Sequence, residues 1–138
     1  MSETRRFATA ALCIIVDKKL LLVRSRGKNA FYLPGGKIEL GESANDAVCR
    51  ELYEELTLSL DPASLSLYGT FTAQAYGEPT GVIVELHCFM GTYTGTIKKA
   101  AEIEEIQYVT VESYQLMPET APAVVLLMQS LQKDGYIR

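Results

Sequence analysis

No apolar run in this chain is long enough to span a bilayer, which excludes a membrane-crossing helix at the outset. The opening residues, MSETRR, lack the apolar core of a secretory signal, so none is expected. Basic residues are also in short supply. Thirteen Lys and Arg stand against 17 Asp and Glu, for a net charge of −4. Broad binding to nucleic acid or to anionic membrane calls for a basic face, so neither is expected as a partner. Cysteine is sparse too. Cys13, Cys49 and Cys88 have no metal-type spacing and sit in apolar contexts, as buried free thiols of a cytosolic protein do. A cytoplasmic location is therefore expected. His87 is the only histidine and is read as a hydrogen-bonded structural residue on a strand. No repeat or low-complexity segment interrupts the 138 residues, so one domain over 1–138 is predicted.

What the chain does hold is a crowd of acids. Glu51, Glu54 and Glu55 lie three and four positions apart, on one flank of a helix that Ser43, or Glu42 beside it, opens. Ala44, Val48, Leu52 and Leu56 recur every four residues as its apolar stripe, and the acids border that stripe. Like charges at this spacing destabilise a bare helix by about 0.2–0.5 kcal/mol per pair. A divalent cation turns that repulsion into ligation, and hard ions such as Mg²⁺ take carboxylate oxygens. Without a fixed spacing, such a helix would be an ordinary solvated face.

The surrounding pattern reads as strands and a second helix. Phe7 to Val16 is a near-continuous apolar run, suited to a strand covered on both faces. Asp17-Lys18-Lys19 turns it into a second strand from Leu20 to Val23. Arg24 to Asn29 reads as a basic loop. Leu65 to Tyr76 alternates, with Leu67, Gly69 and Phe71 on one side and Tyr68 on the other. Val82 to Tyr93 and Ile106 to Val109 are further strands. Glu85, in mid-strand, is a candidate for the pocket wall. Thr120 is expected to cap the last helix, with Pro122 in its first turn and Val124, Val125, Leu127, Met128 and Leu131 on its buried face.

The spacing around the acids carries a resemblance. Gly36, five residues, Glu42, seven residues, then Arg50-Glu51-Leu52-Tyr53-Glu54-Glu55 resembles the signature of the Nudix (MutT-like) hydrolases. Six fixed residue types at this spacing arise by chance about once in 10⁵ sequences. Phe31-Tyr32-Leu33-Pro34-Gly35-Gly36 is similar to the family's W-x-L-P-G-G lead-in. The match departs once, where Thr57 stands in place of a glycine. That glycine suits a left-handed end residue, which strains a β-branched side chain, so Thr57 is expected to end the helix differently.

The resemblance implies an α/β fold, an α/β/α sandwich around a central mixed sheet. It implies hydrolysis of a nucleoside diphosphate linked to another moiety, with Mg²⁺ or Mn²⁺ as cofactor and a small nucleotide-type substrate. It assigns Glu51, Glu54, Glu55 and the carbonyl of Gly35 to the metal, with Arg50 orienting a neighbouring carboxylate. Gly36 and Glu42 then shape the motif, Glu42 bracing the junction of loop and helix. Glu102 or Glu105 supplies a downstream acid, with Glu102 taken as the ligand. Arg24, Arg26, Phe31 and Glu85 are the expected substrate contacts. The homodimer common in the family is left open. Two other readings share the fold: a non-catalytic nucleotide or ADP-ribose binding module, and an isomerase of isoprenoid diphosphates. The intact acids argue against the first, and the short chain without a pocket-like cysteine motif against the second.

Overall fold

The computed structural model describes residues 5–138. In chain order it contains strands β1 (Arg5–Leu12), β2 (Ile15–Val16), β3 (Lys19–Ser25) and β4 (Gly35–Lys37), then helix α1 (Ala44–Leu56). Strands β5 (Ser59–Leu60), β6 (Ser66–Gln74), β7 (Val82–Met90), β8 (Tyr93–Thr94) and β9 (Ile103–Val109) follow, then helices α2 (Val111–Gln115) and α3 (Pro122–Lys133). A mixed sheet has the order β4-β1-β7-β6, with β1 and β7 parallel. A second sheet has the order β2-β3-β9, and β5 and β8 form a separate pair.

The apolar run from Phe7 divides between the two larger sheets instead of forming one strand to Val16. The Cys13 N–H still donates to Phe89 O at 2.9 Å, and one residue later Ile14 O accepts from Leu21 N–H at 2.9 Å. The chain thus leaves β7 and joins β3 without losing backbone pairing. The turn into β3 is tight, with Asp17 and Lys18 both at positive φ, the geometry of a two-residue hairpin.

Alternate residues of this run enter opposite cores. Ala10, Leu12 and Ile14 pack with Ala47, Val48, Leu52 and Leu56 of α1. Ala11 and Cys13 pack with Val124, Leu127, Met128 and Leu131 of α3. In β3, Leu21 and Val23 join the first cluster, Leu20 and Leu22 the second. Helices on both faces explain why these strands read as continuous apolar runs. The architecture is the α/β/α sandwich with a mixed central sheet.

Several expectations are corrected. Arg24 and Ser25 belong to β3, although they were expected in a loop, and Gly35-Gly36 form part of β4. The alternation over β6 is broken by a bulge between Leu67 and Gly69. Leu67 is thereby exposed, and Tyr68 stacks on Phe71 at 6.3 Å. Ala121, not Thr120, precedes α3 and makes no side-chain cap; Pro122 opens the helix without needing one. Cys13 and Cys88 are buried, whereas Cys49 is only partly covered. Among the described residues, no helix is long and apolar enough to cross a membrane.

Candidate active site

Helix α1 positions the acids, and its start is well fixed. The Ser43 side chain accepts from Asp46 N–H at 3.0 Å, and Asp46 reaches back to Ser43 N–H. At the other end Thr57 takes the left-handed conformation, φ 61°, that it was expected to avoid. Thr57 N–H donates to Tyr53 O and Leu58 N–H to Leu52 O, which satisfies carbonyls that a helix end leaves open.

Arg50 organises the exposed side of the acid crowd. Its Nε and Nη2 grip Glu42 at 2.7 and 2.9 Å, Nη1 reaches Glu51 at 2.8 Å, and Nη2 also donates to Lys37 O. Glu54 lies 3.4 Å from Nη1 and is half exposed. The fork on Glu42 holds that carboxyl down to about 2. Glu42 also accepts from Glu39 N–H at 3.0 Å, so it fastens the loop to the helix.

Glu55 is different. It is 5% exposed, and its carboxylate accepts from Gly35 N–H at 2.9 Å. Among the described residues, no cation pairs with Glu55 or Glu102. Burial raises the Glu55 carboxyl to about 8, against the pull of the Gly35 N–H; Glu51, Glu102 and Glu54 push the same way. Burial also raises Glu51, with Arg50 opposing it.

The two glycines of β4 make this approach possible. A Cβ on Gly36 would meet the Glu51 carboxylate at 2.5 Å, and one on Gly35 would run into Ala10 O and Ala11. Gly35, Gly36, Glu55 and Glu102 line one end of a cavity of about 280 Å³. Phe7, Thr9, Ala11, Val84 and Leu86 of the sheet line it too, together with Tyr32, Tyr76, Gln74 and Glu78. Tyr32 and Tyr76 meet edge to face at 6.2 Å.

The expected substrate contacts are not in this wall. Arg24 pairs with Glu105 at 3.1 Å and caps Lys28 O. Glu85 points across the sheet to Arg6 at 3.0 Å. The Arg26 backbone N–H donates to Glu102 O, and Phe31 is buried in the core. Each has a neighbour in the wall instead: Val23 and Ser25 flank Arg24, Val84 and Leu86 flank Glu85, and Tyr32 follows Phe31. The error is one of parity, because a strand covered on both faces does not declare which face holds the cavity. Glu105 is tied to Gln107 and Arg24, so Glu102 is the downstream acid at the cavity. His87 meets the Thr70 hydroxyl at 3.1 Å, as a structural histidine does.

Two residues escaped the sequence reading. Tyr114 is buried, donates to Phe31 O at 2.8 Å and accepts from Ala121 N–H at 2.9 Å, fixing the cavity edge. The signal for it was the capping pair Thr110 and Ser113 that starts α2. Glu119 has a buried carboxylate oxygen without a partner. It lies near enough to Tyr32 to help burial and Tyr114 raise that phenol to about 12. Nothing in the sequence around Glu119 marked it.

The donors beside Glu55 are all oxygen and crowded; Arg50 reaches Glu51 and Glu54, but no cation pairs with Glu55 or Glu102 among the described residues, and that suits a hard divalent ion. Among the described residues, no three acid, histidine or cysteine groups already converge as a closed cage. The ion would therefore complete the arrangement from Glu51, Glu54, Glu55, Glu102 and the Gly35 carbonyl.

A mixed sheet covered by helices on both faces, with an acid-edged helix beside one cavity, defines an α/β sandwich with an acidic site. The sequence model of the NUDIX domain matches residues 6–128, and the chain belongs to the Nudix family. It is 30% identical over 95 residues to an ADP-ribose pyrophosphatase of Methanocaldococcus jannaschii, a match covering 67% of this chain and 54% of that protein. The chain thus spans about half the length of that relative. It is 28% identical over 141 residues to an oxidized purine nucleoside triphosphate hydrolase of Mus musculus, covering 99% of this chain and 88% of that one. The solution structure of the E. coli ORF135 protein has a TM-score of 0.73 at 26% identity, covering 96% and 94% of the two chains.

Proposed function

We propose that this chain is a metal-dependent pyrophosphohydrolase that cleaves a nucleoside diphosphate linked to a further group. The observation that carries the reading is Glu55. It is an almost fully buried acid without a cation, beside Glu51 and Glu102, at the end of a cavity. A structural acid so placed would be paired. Mg²⁺ or Mn²⁺, when bound, neutralises the charge on a pyrophosphate and makes water a better nucleophile.

The chain's own groups do the rest. Arg50 holds Glu51 in one orientation and takes no part in Glu55, so Glu51 stays fixed while Glu55 keeps its free oxygen. The Gly35 N–H fixes the other Glu55 oxygen. In the metal-free protein burial raises the Glu55 carboxyl to about 8, so the fold leaves this acid for a bound cation to neutralise. Tyr32, Tyr76, Val84 and Leu86 offer an aromatic and aliphatic wall for a base, with Gln74 and Glu78 at its rim.

A cavity of about 280 Å³ is at the small end of ligand pockets, sized for one nucleoside. It favours nucleoside triphosphates, including oxidised ones, over ADP-ribose, whose second sugar would lie outside. Turnover of a panel containing ordinary and oxidised nucleoside triphosphates, ADP-ribose and nucleotide sugars, with product analysis, tests this. Nucleotide binding with no product from any of them would turn the reading to a binding module.

A further inference from the structure

Thr57 is the one residue at which this chain departs from the signature of its family, and it sits in a conformation that a β-branched residue rarely adopts. Something must hold it there. Its hydroxyl donates to Thr96 O at 2.9 Å. Thr96 begins a segment whose N–H groups continue along the end of α1. Lys98 N–H donates to Leu56 O at 3.1 Å, and Ala100 N–H donates to Glu55 O at 3.0 Å. Ile103 N–H closes onto Ala100 O, and Arg26 N–H holds Glu102 O at 2.7 Å. The segment has little slack, with Gly95 and Ala101 at positive φ and a Gly95 Cβ position only 3.1 Å from Thr57 O. Glu102, at its end, lines the cavity with Glu55.

We propose that Thr57 is a positioning residue, whose hydroxyl latches the 96–102 segment to the end of α1 and so holds Glu102 against the acids of the site. This rests on the metal reading above. It gives the departure from glycine a physical reason. Glycine accepts the left-handed turn freely but has no hydroxyl. Threonine holds the turn under strain and gains a tether to the segment. Of the tethers between this segment and the helix end among the described residues, this one alone comes from a side chain, so it can be removed by substitution without touching the backbone.

Three variants separate the latch from the turn. Thr57→Gly relieves the strain and deletes the hydroxyl. Thr57→Val keeps the branching and deletes the hydroxyl. Thr57→Ser keeps the hydroxyl. Amide hydrogen exchange at Lys98, Ala100 and Ile103, in metal-free protein, reads the latch directly. Protection should fall about five-fold in Thr57→Gly and Thr57→Val, the equivalent of one hydrogen bond, and hold in Thr57→Ser. Mn²⁺ titration of the same proteins, followed by the signal of the free ion, should show affinity weakened several-fold in the first two and restored in Thr57→Ser. Unchanged protection in Thr57→Gly overturns the latch. Lost protection with unchanged Mn²⁺ affinity overturns its role toward Glu102. Absence of Mn²⁺ binding by the unsubstituted protein overturns the metal reading and this role with it, while the exchange data still decide the latch.

Discussion

Replacing Glu55 by Gln is the most informative single change. The amide keeps the shape of a protonated carboxyl and can still accept from Gly35 N–H. It removes a charge that the fold holds at a cost. In the unfolded chain this carboxyl titrates near 4.5; in the fold it is raised to about 8, with burial as the main cause. A raised acid binds its proton more tightly in the folded state. Its contribution is thus fully present below about pH 4.5, and it is lost as pH rises towards 8. At about 1.36 kcal/mol for each pH unit, the metal-free protein forfeits up to about 3 kcal/mol between pH 4.5 and 7. Water entry lowers that bound, so 1–3 kcal/mol is the expected range. Glu55→Gln escapes this loss. In chelator the variant and the original should melt together near pH 4.5. The variant should then melt progressively higher, by several degrees at pH 7.5. Mg²⁺ should raise the melting temperature of the original and scarcely move the variant, and turnover should fall steeply. Parallel melting curves across pH 5–8 would refute the account of Glu55 as an unpaired buried acid. A variant that melts lower yet keeps its turnover would show the acids to be structural.

Further outcomes follow from the same geometry. Excess EDTA should abolish turnover and Mg²⁺ or Mn²⁺ should restore it; full activity in chelator would remove the mechanism. Gly36→Ala puts a methyl at 2.5 Å from the Glu51 carboxylate and should cost about 1–3 kcal/mol by thermal melting. Its turnover should fall further than that loss explains, because Glu51 must leave Arg50 to make room. Glu85→Gln breaks only an exposed pair with Arg6, so stability should change by less than about 1 kcal/mol and KM should hold. Tyr76→Ala, in the cavity wall, should raise KM instead, and a reversed pattern in the kinetics of these two variants would overturn the placement of the base.

The acid-bearing helix was legible because its chemistry lies on one element. Helical spacing fixes which side chains are neighbours, so Glu51, Glu54 and Glu55 could be placed together before any fold was known. The cavity wall was not legible, because its lining draws on eight separated segments. In β7 the alternation is visible, with Glu85 and His87 on one face and Val84 and Leu86 on the other, but it does not say which face the cavity takes. That is how Glu85 was taken for a wall residue while Val84 and Leu86 hold the position. Thr57 failed for another reason. Propensity correctly marks the left-handed turn as strained for threonine, but the bond to Thr96 that holds it joins residues 39 apart in sequence.

The pair Gly35-Gly36 shows why this helix and this cavity can share a site at all. The acids belong to the face of the sheet covered by α1, whereas Ala11 and Leu86 of the wall belong to the face covered by α3. A sheet of ordinary residues would keep the two apart. The edge strand β4 pairs with β1, Gly36 opposite Ala10 and Gly35 opposite Ala11, and it carries no side chain at either place. Through that gap Glu51 reaches the backbone of Gly36, and Glu55 takes the N–H of Gly35. The glycines are therefore needed less for a turn than for an opening. Acids anchored in one core thus reach a cavity lined largely from the other; a methyl on Gly36 would strike the Glu51 carboxylate, and one on Gly35 would strike β1.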